Sequence, residues 1–108
     1  MDYKSIVAMV KPNLTDVVVD SAKKAGATGA TIIPASGTGA HEAKTFFGLS
    51  LEVRTDVVLF VVDSQLVDPV LSAIKAAGQF DQPGTGIAFV FAVEHIAGFE
   101  SQQSRTTR

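Results

Sequence analysis

Two glycine-rich triplets are the residues of this sequence best suited to hold a ligand. They read Gly37-Thr38-Gly39 and Gly84-Thr85-Gly86. Glycines let a backbone approach a ligand closely and turn its N–H groups toward phosphate oxygens, and threonine hydroxyls add short donors. Neither triplet continues into the Gly-Lys-Ser/Thr of a Walker phosphate loop. The triplets therefore predict a site for a small anion, and an ordinary turn is the alternative for each one taken singly.

The other polar side chains do not assemble a catalytic or metal centre. His41 and Glu42 follow the first triplet, and Glu94 and His95 are adjacent near the end of the chain. With two histidines and no cysteine, a structural metal site is not expected. No glycine-flanked serine makes a nucleophile elbow, and no base stands beside an oxyanion site. We therefore expect a protein that is not an enzyme and that has no metal site and no covalent cofactor.

Apolar periodicity predicts the elements that must position the triplets. Short apolar runs predict strands, and apolar residues at steps of three and four predict helices. The strands are expected at residues 6–10, 28–35, 56–62 and 87–93, and the helices at residues 14–25 and 67–77. Asn13 is the expected N-cap of the first helix, and Gly26 and Gly78 are the expected stops of the two helices.

The order β-α-β-β-α-β predicts an α+β, ferredoxin-like sandwich. Its two β-α-β halves have right-handed crossovers, which gives an antiparallel sheet in the strand order 4-1-3-2 with both helices on one face. Both triplets then lie at the same end of the sheet, on opposite edges that are three strand spacings or about 14 Å apart. Other small α+β arrangements are the alternative.

Length and composition limit the class of protein. The chain has 108 residues, of which 46% are hydrophobic and 19% charged, which suits one globular domain. Its net charge of −2 argues against a nucleic-acid partner, since such binding needs a concentrated positive surface. No cysteine occurs, and no apolar run approaches the roughly 20 residues of a membrane helix. We expect a cytoplasmic protein that is not itself a membrane protein and binds no nucleic acid.

Two of the predicted strands are apolar on both faces. Residues 57–62 and 87–93 contain no polar side chain, whereas a face that met water should alternate with polar residues. Exposing Phe60, Phe89 or Phe91 would leave roughly 1.5–3 kcal/mol of burial unrealised at each ring. The pattern predicts a closed assembly of copies, in which triplets of neighbouring copies form two walls of one cleft. The alternative is that the tail or the long loop covers this face.

The segment between the second and third strands is long and polar, with an apolar stretch inside it. Loops of this length in a compact domain are usually functional. Phe46, Phe47 and Leu49 would give the loop an apolar tip that docks on a target protein. Packing of the same side chains against a neighbouring subunit is the alternative.

Several short motifs resemble the PII family of signalling proteins in order and spacing. They are Val10-Lys11-Pro12, Gly29-Ala30-Thr31, the two triplets and Phe89-Val90-Phe91. The resemblance implies a homotrimeric signal-transduction protein of the nitrogen regulatory kind, in which ATP or ADP binds between neighbouring subunits. It also implies that residues 38–55 form the T-loop, which contacts target proteins, and that the segment before the fourth strand forms the B-loop.

The same resemblance implies which residues contact a nucleotide. They are Gly29, Thr31, Gly37, Thr38, Gly39, His41, Gly84, Thr85 and Gly86. The sequence departs from the family where Ile87 replaces a lysine, where Gly98 and Glu100 replace arginines, and in a T-loop without tyrosine. Each lost charge-assisted contact is worth roughly 1.5–3 kcal/mol. These departures imply a divergent PII-like protein that senses ATP, ADP, AMP or another anion and is not uridylylated in the enteric manner.

One prediction and two alternatives follow. We expect a single PII-like domain over residues 1–100 with a polar tail at residues 101–108, working as a trimeric regulator of an enzyme or a membrane transporter. One alternative is a trimeric metal-binding protein of the CutA type, with His41, Glu42 and His95 as ligands. The other is an oligomeric interaction module without a ligand.

Overall fold

Short apolar runs build the long strands, and apolar residues at helical spacing build the helices that pack on them. The structure is a computed structural model that describes residues 2–36, 45–46, 49–50 and 54–98. The strands are β1 (Tyr3–Val10), β2 (Thr31–Ala35), β3 (Thr45–Phe46), β4 (Leu49–Ser50), β5 (Thr55–Asp63) and β6 (Gly86–Ala92). The helices are α1 (Thr15–Lys24) and α2 (Val67–Ala77), which follow the 3-10 turns Pro12–Leu14 and Ser64–Leu66.

Four of these strands form one sheet in the order β2-β5-β1-β6, and every neighbouring pair is antiparallel. When only these four strands are counted along the chain and the sheet is read from β6, the order is 4-1-3-2. This is the order of a ferredoxin-like α+β sandwich, so the predicted fold is confirmed. β3 and β4 pair with each other in a separate hairpin, which the sequence pattern did not indicate. Thr55 belongs to β5 rather than to the preceding loop, because it pairs with Ala35 of β2.

The hydrophobic core lies between the sheet and the two helices. Its buried residues are Ile6, Ala8, Val10, Val58, Phe60 and Val62 on the sheet, Val18, Ala22, Val70 and Ile74 on the helices, and Ala27 just after α1. Phe60 is 1% exposed and pairs with Ile6. The expectation that Phe60 lies on the uncovered face is therefore wrong. In a strand that is apolar at every position, the sequence pattern does not reveal which face each side chain takes.

Several predicted boundaries also differ from the structure, mostly at the starts of elements. β1 begins at Tyr3 rather than at residue 6. Pro12–Leu14 forms a 3-10 turn, so α1 begins at Thr15 and Asn13 is not its N-cap. Proline fixes φ near the helical value and favours such a tight start. β2 begins at Thr31, since residues 28–30 belong to no strand.

α1 ends in a pair of backbone hydrogen bonds that close its last turn. The N–H of Ala27 donates to the carbonyl of Ala22 at 3.0 Å, and the N–H of Gly26 donates to that of Lys23 at 3.1 Å. This is the Schellman arrangement, which needs a positive φ at its central residue. Gly26 supplies it with a φ of 128°, as its predicted role as a helix stop requires.

α2 ends in the same arrangement, but its central residue with a positive φ is not a glycine. The N–H of Phe80 donates to the carbonyl of Lys75 at 3.0 Å, and the N–H of Gln79 donates to that of Ala76 at 3.2 Å. Gln79 has a φ of 59°, whereas Gly78 has a φ of −81°. A Cβ on Gly78 would lie 2.8 Å from Cδ1 of Phe80. The ring therefore requires glycine at residue 78, and the unfavourable φ falls on glutamine.

We predict that Gln79→Gly raises the free energy of unfolding by about 0.5–1 kcal/mol, because it removes the left-handed strain at a residue with a Cβ. Gly26→Gln is the matched control and should lower it, since a Cβ there would also meet Cδ2 of Leu66 at 3.1 Å. Urea unfolding measures both changes. A Gln79→Gly protein less stable than the unmodified chain would contradict this explanation of the helix end.

Candidate functional site

A row of paired residues crosses the sheet at the end where the ligand site is predicted. Val10 pairs with Asp56 of β5 and with Gly86 of β6, and Asp56 pairs with Pro34 of β2. We call these four residues the end row. The chain leaves β2 and enters β6 at this same end, so both triplet positions adjoin it, as the predicted topology requires.

The strand ends next to the two triplets lie on opposite edges of the sheet. β2 and β6 are the edge strands, and three strand spacings of the sheet span about 14 Å. The end of β2 and the start of β6 are thus separated by the width of the sheet within one copy. Gly37, Thr38, Gly39 and His41 lie outside the described residues, so their ligand contacts stay a prediction.

The second triplet belongs to a loop that is held by its own threonine. Thr85 is 5% exposed, and its hydroxyl lies 2.5 Å from the carbonyl oxygen of Gln79 and 2.8 Å from that of Gln82. Gly84 turns the chain with a φ of 75°. The Thr85 hydroxyl is thus engaged inside the loop, and a ligand contact of this residue stays a prediction.

Gly86 is required by packing. A Cβ on it would lie 2.7 Å from the carbonyl oxygen of Met9 and 2.8 Å from Cδ1 of Phe80. The Phe80 ring therefore packs against both Gly78 and Gly86. The sequence pattern did not indicate this ring, because its partners are glycines rather than apolar side chains.

Gly29 stands in a contrasting environment, just before the edge strand β2. A Cβ added to it would have no described atom within 4 Å, and its φ is not in the left-handed range. Neither turn geometry nor packing within the described part of one chain requires glycine here. Thr31, two residues later, is exposed. Both predicted contact residues thus border open space at the β2 edge.

The predicted docking residues are described only in part. The β3–β4 pairing sets the backbones of Phe46 and Leu49 opposite each other. Phe47 lies between them, outside the described residues. Their role in docking on a target stays a prediction.

The sheet face turned away from the helices is mostly apolar, although Ser5 of β1 and Thr31 of β2 also lie on it. It carries Val7, Met9, Val57, Leu59, Val61, Ile87, Phe89, Phe91 and Ile33, and we call it the open face. Phe91 is 55% exposed and Ile33 is 45% exposed, and the rings of Phe89 and Phe91 meet edge to face with centroids 5.5 Å apart. An apolar patch of this extent usually marks an interaction site.

Within residues 2–36, 45–46, 49–50 and 54–98, no three or more His, Cys, Asp or Glu side chains are grouped so that they could hold a metal ion. Glu94 and His95 are exposed after β6. In the same part of the chain, no helix is long and apolar enough to cross a bilayer.

The sequence and the fold are similar to proteins of known kind. The family model described as nitrogen regulatory protein P-II matches residues 3–103. The nitrogen regulatory protein P-II of Haemophilus influenzae is 33% identical over 96 residues, which cover 84% of this chain and 86% of that protein. The protein of the same name from Pasteurella multocida is 31% identical over 98 residues, which cover 86% of this chain and 88% of that protein.

A solved structure shares the fold. Arabidopsis thaliana PII bound to citrate superimposes with a TM-score of 0.68 at 24% sequence identity, covering 85% of this chain and 78% of that chain.

We predict that Thr85→Val lowers the free energy of unfolding by about 1–3 kcal/mol, because it keeps the side-chain shape but removes the one hydroxyl hydrogen available to the carbonyls of Gln79 and Gln82. Thr85→Ser keeps the hydroxyl and should recover most of this loss. Urea unfolding of both variants provides the measurement. Equal destabilisation by valine and serine would contradict the role of the hydroxyl.

Proposed function

The chain belongs to the nitrogen regulatory protein P-II family, and we propose on that basis that it is a non-enzymatic, cytoplasmic regulator that works as a homotrimer. It senses an adenine nucleotide in the clefts between its subunits. It acts on a target protein through the loop that joins β2 to β5.

The open face is the observation that carries this proposal. Each large ring removed from water contributes roughly 1.5–3 kcal/mol, and Phe91 alone is 55% exposed in a single copy. A closed cyclic assembly buries such a face without leaving a new one exposed. Because the chain belongs to this family, we favour an assembly of three copies.

A ring of copies would also complete the ligand site. In such a ring the β2 edge of one copy faces the β6 edge of the next, so both triplet positions border one cleft. Gly29 supports this arrangement, because its open Cβ position leaves room for a close approach at the β2 edge. The cleft would contain Gly29, Thr31, Gly37, Thr38, Gly39 and His41 from one copy and Gly84, Thr85 and Gly86 from its neighbour.

The chemistry of this cleft favours an anionic ligand bound by backbone groups. Glycine-rich turns present N–H donors to phosphate oxygens. Ile87 brings no charge next to the second triplet, so the terminal phosphate of ATP gains little there, and ADP and AMP are candidate ligands beside ATP. The relative from Arabidopsis thaliana was solved bound to citrate, and citrate is likewise a small anion.

The target would be another protein, either an enzyme or a membrane transporter. The paired backbones of Phe46 and Leu49 form a hairpin within the loop, and with Phe47 their side chains supply apolar groups for docking. The net charge of −2 favours a protein partner over a nucleic acid.

We predict that calorimetric titration detects binding of at least one of ATP, ADP and AMP, with or without magnesium. Gly29→Ala should weaken that binding at least tenfold, about 1.4 kcal/mol, with an unchanged melting temperature, because the added methyl group has free space in one copy but fills the cleft. Ser72→Ala, on the exposed side of α2, is the control. Absence of heat with every nucleotide would refute the sensing role, and copper or zinc binding lost in His41→Ala would favour the metal-binding alternative.

We also predict that Phe91→Glu shifts the assembly to single chains, because a charge on the open face cannot be buried against a second copy without a partner. Val17→Glu is the matched control: Val17 is 46% exposed but lies on α1, away from that face. Light scattering gives the mass of each variant, and circular dichroism shows that it is folded. An unchanged mass for Phe91→Glu would contradict the role of the open face.

A further inference from the structure

A buried threonine joins the start of α1 to the start of β5. The Thr15 hydroxyl donates to a carboxylate oxygen of Asp56 at 2.6 Å, across a separation of 41 residues in the sequence. Thr15 is 4% exposed, and Asp56 is half-buried. The carbonyl oxygen of Lys11 lies 3.4 Å from the same hydroxyl. The single hydrogen is therefore directed to the closer carboxylate, in a charge-assisted bond.

Asp56 is a charged residue in a row of the sheet whose other members, Pro34, Val10 and Gly86, have no polar side chain. It belongs to the end row, and the alternation of β5 puts it on the same face as Val58, which packs on the helices. The carboxylate lies at the first residue of α1, and the N-terminal end of a helix carries a partial positive charge that favours an anion. Asp56 is thus held by a helix as well as by its strand neighbours.

This contact lies where the ladder of the sheet begins. Thr55 is the first residue of β5 to pair, with Ala35, and Asp56 is the second. Strand ends open more readily than strand centres, because few contacts hold them. A strong side-chain bond at the second residue therefore has a large influence on whether the start of β5 stays on the sheet.

We propose that the Thr15–Asp56 hydrogen bond is a latch that fixes the first residues of β5 to α1. Thr15 and Asp56 are positioning residues, since their side chains act on each other and not on a ligand. The latch holds the end row in shape where the chain returns to the sheet after the long loop. Its effect on ligand binding rests on the proposed function, whereas its effect on β5 does not.

Hydrogen exchange of the full chain tests the latch. In Thr15→Val, which keeps the buried volume, amide exchange in residues 54–58 should accelerate about tenfold to a hundredfold, while exchange in residues 87–91 stays unchanged. Thr15→Ser restores the hydroxyl and should restore slow exchange. Exchange that stays unchanged in residues 54–58, or that accelerates equally throughout the sheet, would overturn the proposal.

Substitutions of the acceptor, Asp56, test the latch even if the Thr15→Val protein folds poorly. Asp56→Ala should produce the same local acceleration, and combining it with Thr15→Val should add little, because the first change already removes the bond. Fully additive effects would overturn the latch. Titration with ADP adds a separate readout: affinity should fall in Thr15→Val and recover in Thr15→Ser. If the unmodified chain binds no nucleotide, the sensing proposal fails while the exchange result still decides the latch.

Discussion

A four-stranded sheet of this topology can be covered by its own helices on one face only. Right-handed crossovers carry α1 and α2 to the same side, where Ile6, Phe60 and Ile74 are almost entirely shielded from water. The other face is nearly as apolar, yet no helix of the described chain packs on it, and Phe91 is 55% exposed. The proposed assembly, the pairing of sheet edges and the ligand cleft all depend on burying that face.

The predicted ligand-contact residues divide into those that have a structural reason within one copy and those that have none. Thr85 and Gly86 have structural reasons within the chain, since one closes the loop with its hydroxyl and the other leaves room for the Phe80 ring. Gly29 has no such reason, because a side chain there would meet open space. In a cleft between copies, Thr85 and Gly86 would form a rigid wall, and Gly29 would let the ligand approach the backbone closely.

The apolar pattern was sufficient to predict the order of the main elements, the antiparallel sheet and its apolar faces, because apolar runs and helical spacing are local properties of a sequence. It could not assign Phe60 to a face, since β5 is apolar at every position from 57 to 62. It placed the end of α2 correctly at Gly78, which is the C-cap. It did not indicate that the residue with a positive φ is Gln79, because the ring contact that requires the glycine is not local. The bond between Thr15 and Asp56 was missed for the same reason, since 41 residues separate its partners.

Burial of the open face by sister copies can be tested on the unmodified chain, without nucleotide and without any substitution. Sedimentation equilibrium over a wide range of dilution gives the mass of the species in solution directly. We expect three chain masses that persist into dilute solution, because association removes the apolar sheet face from water. A folded species of one chain mass at every concentration would contradict the trimer and, with it, the ligand cleft between subunits.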